Sequence, residues 1–307
     1  MKYGIIDIGS NTIRLVVYRI IDGKIEYLLN EKVFARAGSY KQKGRMNIDG
    51  VRAIIDALLK HKELAGHHEL SYLWCFATAS LRGISNTKSV LASIREGTGF
   101  NIEIISGEEE ALLGVSGLEY AFDVNNVISI DLGGGSCEIS LIRGMKVQEK
   151  TSLPFGAVSL TNKFVSDIFP KKKEIDAIKA EVDRHIDKID WLVGAGLDAA
   201  YAMGGSARAL CNIHKAVHKS TQEIHGYRIF SDDILPLYTE IIGRGLDGIR
   251  LANQHCPGRI FSLIPGMIVL KRILIKAEIP LIRLSRFGVR EGYLLRQVGA
   301  LHLNGVK

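Results

Sequence analysis

The chain has 307 residues, of which 47% are apolar and 24% charged, the profile of a globular protein with room for two ordinary domains. No run of about 18 apolar residues occurs and the N-terminus reads as no leader, so no membrane association and a cytoplasmic location are expected. Cys75, Cys137, Cys211 and Cys256 form no Cys-x-x-Cys pair, against zinc or a disulfide framework, and the net charge of +7 favours polyanions weakly without pointing to nucleic acid.

Strands are expected at Lys2–Ile8, Ile13–Arg19 and Lys24–Ala35, then a helix over Ile48–Lys62 with Val51, Ile54, Ile55, Leu58 and Leu59 on one face. A strand at Tyr72–Ala77, a helix at Thr87–Arg95, a strand at Phe100–Ile105 and a helix from Ser106 follow. The pattern then restarts, with strands at Val127–Asp131, Cys137–Ile142 and Met145–Leu153 and a helix over Ser159–Phe164. Pro170 suits a first helical turn, and Ile175, Ile178, Val182 and Ile186 mark an amphipathic helix. Ala199–Met203 reads as a strand ending in Gly-Gly-Ser before a helix from Ala207; a mostly helical stretch then closes with a strand at Ile282–Phe287 and a helix from Val289. Two copies of one α/β topology result, each opened by a glycine-turned hairpin, with a cleft between the halves as the natural ligand site.

The hairpins are Asp7-Ile-Gly9-Ser10-Asn11-Thr12 and Asp131-Leu-Gly133-Gly134-Gly135-Ser136. Either they are tight turns and nothing more, or they are paired phosphate cradles, in which glycine lets backbone N–H groups approach an anion. Asp7 and Asp131 at the strand ends suit Mg²⁺, which takes oxygen ligands. The absence of Gly-Lys-Ser/Thr and of Gly-x-Gly-x-x-Gly excludes a Walker A loop and a dinucleotide fingerprint. Gly204-Gly205-Ser206 is a third glycine turn before a helix. In Ser106-Gly-Glu-Glu109-Glu110, Ser106 and Glu109 fit a capping box, which leaves Glu110 at a position where an apolar staple residue is expected. Glu110 is therefore the candidate general base for water. Arg82, after the strand Tyr72–Ala77, is either a solvated arginine or a phosphate ligand. The basic stretches Lys41–Arg45 and Lys171–Lys173 read as solvated surface, and the four-residue spacing of His214 and His218 as surface placement rather than a metal site.

At these residues the chain resembles the exopolyphosphatase / guanosine pentaphosphate phosphohydrolase (Ppx/GppA) family, of the actin, Hsp70 and sugar-kinase superfamily. The resemblance rests on DIGSNTIRL, ATASLR with Asn86, ISGEEEA, DLGGGSCE, PFGAVSLT, MGGSARAL, LIPGMIVL and SRFGVREGYL, in that order. It implies duplicated ribonuclease H-like, actin-like domains, one over 1–119 and one over 120–289, with the closing helix 290–307 packing back on the first. It implies Glu110 as base and Arg82 as a charge-stabilising residue. Phosphate would be bound by Gly9, Ser10, Asn11, Thr12, Gly133, Gly134, Gly135, Ser136, Gly205 and Ser206. Asp131, with Asp7 and Glu138, would hold Mg²⁺ or Mn²⁺, and a homodimer is implied.

Two departures bear on substrate preference. Phe34 stands where the family commonly has Arg, and Ser39-Tyr40 follow a single glycine. The chain also stops at Lys307, where longer family members carry a further helical region, so a polymer channel built by that region is not expected. The expected activity is Mg²⁺-dependent release of terminal orthophosphate from inorganic polyphosphate, or alternatively hydrolysis of guanosine pentaphosphate to the tetraphosphate. A superfamily kinase and a non-catalytic sensor of polyphosphate or guanosine penta/tetraphosphate are the rivals. The first lacks an evident acidic acceptor base, and the intact ISGEEEA segment argues against the second.

Overall fold

The computed structural model describes residues 1–303, with side chains through 301. By contact the chain forms two units, Met1–Glu110 with the residues from Arg296, and Ala111–Leu295. The divisions fall at 110/111 and 295/296, where the family resemblance implied 119/120 and 289/290.

In the first unit, β1 (Lys2–Ile8), β2 (Ile13–Ile21) and β3 (Lys24–Val33) form an antiparallel meander, with Ile8 opposite Ile13 and Ile13 opposite Val33. A 3-10 turn at Ala37–Tyr40 leads into a small hairpin, β4 (Lys41–Gln42) and β5 (Arg45–Met46), and then α1 (Ile48–Gly66), capped by the Asn47 side chain accepting from the Gly50 N–H at 2.9 Å. β6 (Tyr72–Ala77) pairs parallel with β1, α2 (Thr87–Thr98) follows, β7 (Glu103–Ile104) pairs parallel with β6, and α3 begins at Gly107 and runs to Ala121. The sheet order is β3-β2-β1-β6-β7. Alternate residues of the central strands, Ile6, Ile8, Leu15, Val17, Cys75 and Ala77, bury one face against Val51, Ile54 and Leu58 of α1 and Val90 and Ile94 of α2. The strand expected over Phe100–Ile105 shrinks to two residues. Its apolar Phe100 and Ile102 still pack on this core, but from a loop.

The second unit repeats the plan. β8 (Val127–Leu132), β9 (Cys137–Arg143) and β10 (Lys146–Leu153) form the meander, with Leu132 opposite Cys137. After α4 (Ala157–Phe164) and α5 (Lys172–Ile186), β11 (Ala200–Met203) pairs parallel with β8. Then come α6 (Gly204–Val217), β12 (Arg228–Phe230), α7 (Ser231–Gly243), α8 (Leu246–His255), α9 (Leu263–Ala277), β13 (Leu281–Leu284) and α10 (Val289–Leu303). The sheet order is β10-β9-β8-β11-β13-β12. Without β12 it matches the first sheet strand for strand, a meander followed by two parallel strands. The fold is thus a duplicated ribonuclease H-like α/β fold of the actin-like kind. β12 was missed because three residues are too few to show alternation. Its core joins Ile128, Ile130, Leu132 and Ile139 to Ile178 and Val182 of α5, Leu210 of α6 and Ile268 and Leu270 of α9.

Three local expectations are corrected. α6 starts at Gly204, so Gly-Gly-Ser is its first turn rather than a turn before it. Pro170 precedes the N-cap Lys171 instead of lying in the first turn of α5. His214 is buried, not on the surface. Its Nδ1 lies 3.0 Å from the Tyr227 hydroxyl. The four cysteines are buried and unpaired. No described helix is long and apolar enough to cross a membrane.

Within the second unit α3 and α10 touch through glycines. A Cβ on Gly292 would lie 1.9 Å from the Leu113 carbonyl oxygen, and one on Gly117 2.1 Å from that of Gly288. Overpacking against rigid backbone costs about 1–3 kcal/mol or more. Gly292→Ala is therefore expected to lower the urea midpoint clearly, whereas Gly243→Ala, with nothing within 4 Å, leaves it unchanged or raises it. Equal midpoints for the two variants would contradict this packing.

Candidate active site

Each meander turn is closed the same way. The Gly9 N–H donates to the Thr12 carbonyl at 3.1 Å, and the Gly133 N–H to that of Ser136 at 3.0 Å. These two glycine N–H groups are used within the turn, which corrects their expected role as phosphate donors. Their lack of a Cβ matters instead, since the Thr12 and Ser136 oxygens come within 3.1 and 3.2 Å of the Cβ positions.

The turns' carbonyls are held from outside. In the first unit Ser10 O accepts from Gly38 N at 2.8 Å and Asn11 O from Arg36 N at 2.9 Å. In the second, Gly133 O accepts from Ala157 N at 3.0 Å, and Gly134 O from Val158 N at 3.0 Å and Ser159 N at 2.9 Å, all in the first turn of α4. In a planar trans peptide the carbonyl and the next N–H point opposite ways. The N–H groups of Asn11 and Thr12 therefore face away from the 36–40 segment, and those of Gly134 and Gly135 away from α4. Neither Gly134 nor Gly135 N–H donates to a backbone carbonyl among the described residues. Gly156 is glycine for the same reason, since a Cβ there would meet Gly133 O and the Gly134 carbonyl carbon at 2.6 Å.

The parallel register carries β6 past β1, with Thr78 N donating to Ile8 O at 3.4 Å. A tight turn follows, in which the Leu81 and Arg82 N–H groups both donate to Thr78 O, and it delivers Arg82 to Glu110. Arg82 Nη1 donates to Glu110 Oε2 at 2.9 Å and to Ile105 O at 3.3 Å, with the Glu110 side chain only 10% exposed. So Arg82 is not a solvated surface residue. The neighbouring glutamates divide the work. Ser106 and Glu109 form the capping box, with Glu109 N to Ser106 Oγ at 3.1 Å and Ser106 N to Glu109 Oε2 at 3.4 Å, and Glu109 also pairs with Arg296. The repeat isolates Glu110 further. α10 is capped in the same register by Glu291, whose Oε2 accepts from Gly288 N at 2.8 Å, and the next position there is Gly292. One copy thus has an acid where the other has none, so the fold does not require a carboxylate at that position.

In the second unit Asp131 stands opposite Glu138 across β8 and β9, on one sheet face. Glu138 is buried, and its Oε1 accepts from Ser152 Oγ at 2.7 Å. The Asp131 carboxylate lies against the start of α6, where a Cβ on Gly204 would come 2.3 Å from Oδ1. Gly204 has φ +84°, so this position favours glycine twice over. The next glycine carries an arginine. A Cβ on Gly205 would fall 2.0 Å from Arg259 Nη2, and Arg259 Nη1 donates to the Ser206 hydroxyl at 3.3 Å. Burial, then the nearby Arg208, push the Arg259 guanidinium down to about 10, and Asp131 opposes that shift. Arg259 remains a cation at neutral pH.

Two like carboxylates opposite each other repel unless a cation lies between them, and oxygen ligands suit Mg²⁺. Asp131 and Glu138 offer carboxylate oxygens of that kind from one sheet face. Asp7 faces Arg14 across its own sheet rather than a second acid. No three His, Cys, Asp or Glu side chains among the described residues form a group able to hold a metal. Mg²⁺ commonly takes one or two carboxylates and completes its shell with phosphate oxygens and water.

The residue pattern of the Ppx/GppA phosphatase family matches residues 16–301. The chain belongs to the Ppx/GppA phosphatase family. It is 24% identical to exopolyphosphatase 1 of Mycobacterium tuberculosis over 97% of this chain and 88% of that protein. It is also 24% identical to guanosine-5'-triphosphate,3'-diphosphate pyrophosphatase of Vibrio campbellii, over 99% of this chain and 61% of that protein. Both names denote phosphoanhydride hydrolases. The fold is that of an exopolyphosphatase from Cytophaga hutchinsonii, with a TM-score of 0.85 at 19% identity, covering 100% of this chain and 99% of that one.

Sequence reasoning missed Arg208, Arg259 and Lys41. Arg208 was legible from the repeat, since Ala-Ser-Leu-Arg82 and Gly-Ser-Ala-Arg208 both set Arg two places after Ser behind a parallel strand. Arg259 lies in a loop with no periodic signal. Lys41 was assigned to a solvated loop, yet its Nζ donates to the carbonyls of Ala79 and Arg82, the latter at 3.3 Å, and burial together with Arg82 lowers it to about 8. Between pH about 8 and 10.5 the unfolded chain thus holds a proton at Lys41 that the folded chain has lost, so this group's contribution to stability rises with pH across that window. Urea midpoints of the wild type relative to Lys41→Met are expected to increase between pH 7.5 and 10. A difference independent of pH would count against the perturbed ammonium.

Proposed function

We propose that this chain is an exopolyphosphatase that hydrolyses the terminal phosphoanhydride bond of inorganic polyphosphate and releases orthophosphate with Mg²⁺ as cofactor. The reading rests chiefly on the Arg82–Glu110 pair, a buried acid outside the capping box held at 2.9 Å by an arginine whose turn adjoins the first phosphate turn.

Phosphoryl transfer leaves little covalent chemistry to the protein. It needs positioning and charge stabilisation. Glu110 is the general base that orients and deprotonates the attacking water, fixed by Arg82 and by burial. Arg82 then faces the charge that develops on the equatorial oxygens. The N–H groups of Asn11 and Thr12, and those of Gly134 and Gly135, donate to phosphate oxygens. Arg259 and Ser206 add a cation and a hydroxyl at the start of α6. Asp131 and Glu138 hold Mg²⁺, which when bound neutralises phosphate charge.

Glu110→Gln keeps the size of the side chain and an acceptor for Arg82 but removes the base. It is expected to lower the turnover of polyphosphate by about 10²–10⁴-fold. EDTA should abolish release, and excess Mg²⁺ or Mn²⁺ restore it. Orthophosphate release from long-chain polyphosphate, tripolyphosphate, guanosine pentaphosphate and ATP is the measurement. Near-normal turnover in Glu110→Gln would remove the base assignment. Faster turnover of guanosine pentaphosphate than of polyphosphate would replace the substrate.

A further inference from the structure

The segment from Arg36 to Met46 carries four cations, Arg36, Lys41, Lys43 and Arg45, and no acid. None of the four has a carboxylate within ion-pair distance among the described residues. Elsewhere many exposed cations do have such partners, as Arg19 does in Glu26 and Arg250 in Asp247. Arg36, Lys43 and Arg45 are exposed. An unpaired cluster of like charge repels itself, and its loop must be held by other bonds.

The segment is tied at both ends to pieces of the proposed site. Arg36 and Gly38 hold the carbonyls of the first phosphate turn. The β4–β5 hairpin is docked on the turn that bears Arg82. Asn86 clamps Met46 with both ends of its amide, accepting from the N–H at 3.0 Å and donating to the carbonyl at 2.9 Å. Ser85 N donates to Gly44 O at 2.8 Å, and Lys41 Nζ donates to the Ala79 and Arg82 carbonyls. Lys41 pairs across the hairpin with buried Met46, so it lies on the inner face. Arg45, paired with Gln42, lies on the outer one.

We propose that the Arg36–Met46 segment is the chain-length-reading element of this enzyme, a rigid cationic strip that takes the phosphates of inorganic polyphosphate beyond the bond being cleaved. This deepens the exopolyphosphatase reading and rests on it. The strip suits a phosphate-only polymer better than a nucleotide or nucleic acid, because those are gripped by stacking as well as charge. Its one aromatic, Tyr40, is packed where a Cβ on Gly50 would meet it at 2.6 Å, and Phe34 just before it lies under the Lys32 ammonium at 5.1 Å.

The test is the double charge reversal Lys43→Glu/Arg45→Glu, at exposed positions that make no side-chain hydrogen bond, beside Lys172→Glu/Lys173→Glu as a control of equal charge change on α5. The ratio of kcat/KM for long-chain polyphosphate to that for tripolyphosphate should fall about tenfold or more in the first variant. Its salt dependence on the long chain should weaken, with a log–log slope smaller by roughly 1–2. The control should retain the wild-type ratio and slope. A retained ratio in an active Lys43→Glu/Arg45→Glu enzyme overturns the proposal and leaves the hydrolase reading standing. If no phosphoanhydride is cleaved by the wild type, that reading fails, and fluorescence anisotropy of labelled long-chain polyphosphate decides the strip separately. Weaker binding in the hairpin variant alone supports it, and equal binding in both variants overturns it. Displacement of the labelled polymer by single-stranded RNA as readily as by unlabelled polyphosphate overturns the choice of ligand.

Discussion

Where a turn sends its carbonyls decides where its N–H groups point, and both candidate phosphate turns are governed by that rule. Three glycines in a row are costly to order. The Gly133–Gly135 stretch is held because the first turn of α4 donates three N–H groups to two of its carbonyls. Helix starts have orphan donors and tight turns have orphan acceptors, so each satisfies the other. The residual donors, Gly134 and Gly135, are then oriented before any anion arrives. In the first unit the 36–40 segment does the same work with two donors. A turn held this way need not reorganise when charge develops against it, which is what electrostatic stabilisation of a transition state requires.

The duplication makes this arrangement readable because the two copies can be compared position by position. Shared features serve the fold. These are the closing bond of each turn, the glycine packed on each turn at Gly38 and Gly156, and the capping acid at the third helical position, Glu109 and Glu291. Unshared features are where chemistry can enter. Glu110 against Gly292 is one. Another is the residue facing the strand-end acid across each meander, Arg14 opposite Asp7 and Glu138 opposite Asp131. The two strand-end aspartates thus have cross-strand neighbours of opposite charge despite their matching place in the sequence.

Much of this was legible in the residues. Apolar alternation placed both meanders and their parallel continuations, because those strands bury at least one face. The capping arithmetic separated Glu109 from Glu110 before any geometry was known. What stayed illegible has physical reasons. The edge strands β7 and β12 have two and three residues and one neighbour or little more, too short for a period. The direction of a turn's N–H groups depends on Gly38 and Gly156, far off in sequence, so the reading that gave every glycine of the turn to phosphate overlooked that Gly9 and Gly133 close the turns themselves. Lys41 and Arg259 sit in irregular segments, where burial is set by tertiary packing alone.

Arg82 shows how these constraints combine. Its backbone N–H closes the turn on Thr78, its carbonyl accepts from Lys41, and its guanidinium reaches both Ile105 O and Glu110. Lys41 and Arg82 are like charges, and burial first and then this proximity lower the lysine. The fold tolerates that repulsion in a half-buried place, although an apolar residue at 41 would avoid it. A lysine there gains two hydrogen bonds to main-chain carbonyls and leaves a second positive charge beside the arginine. Adding phosphate oxygens to this neighbourhood would reverse the sign of the interaction and turn a small cost in the free protein into attraction for a polyanion. Binding energy gained by relieving a built-in repulsion is specific to charge. A neutral ligand of the same shape would not collect it.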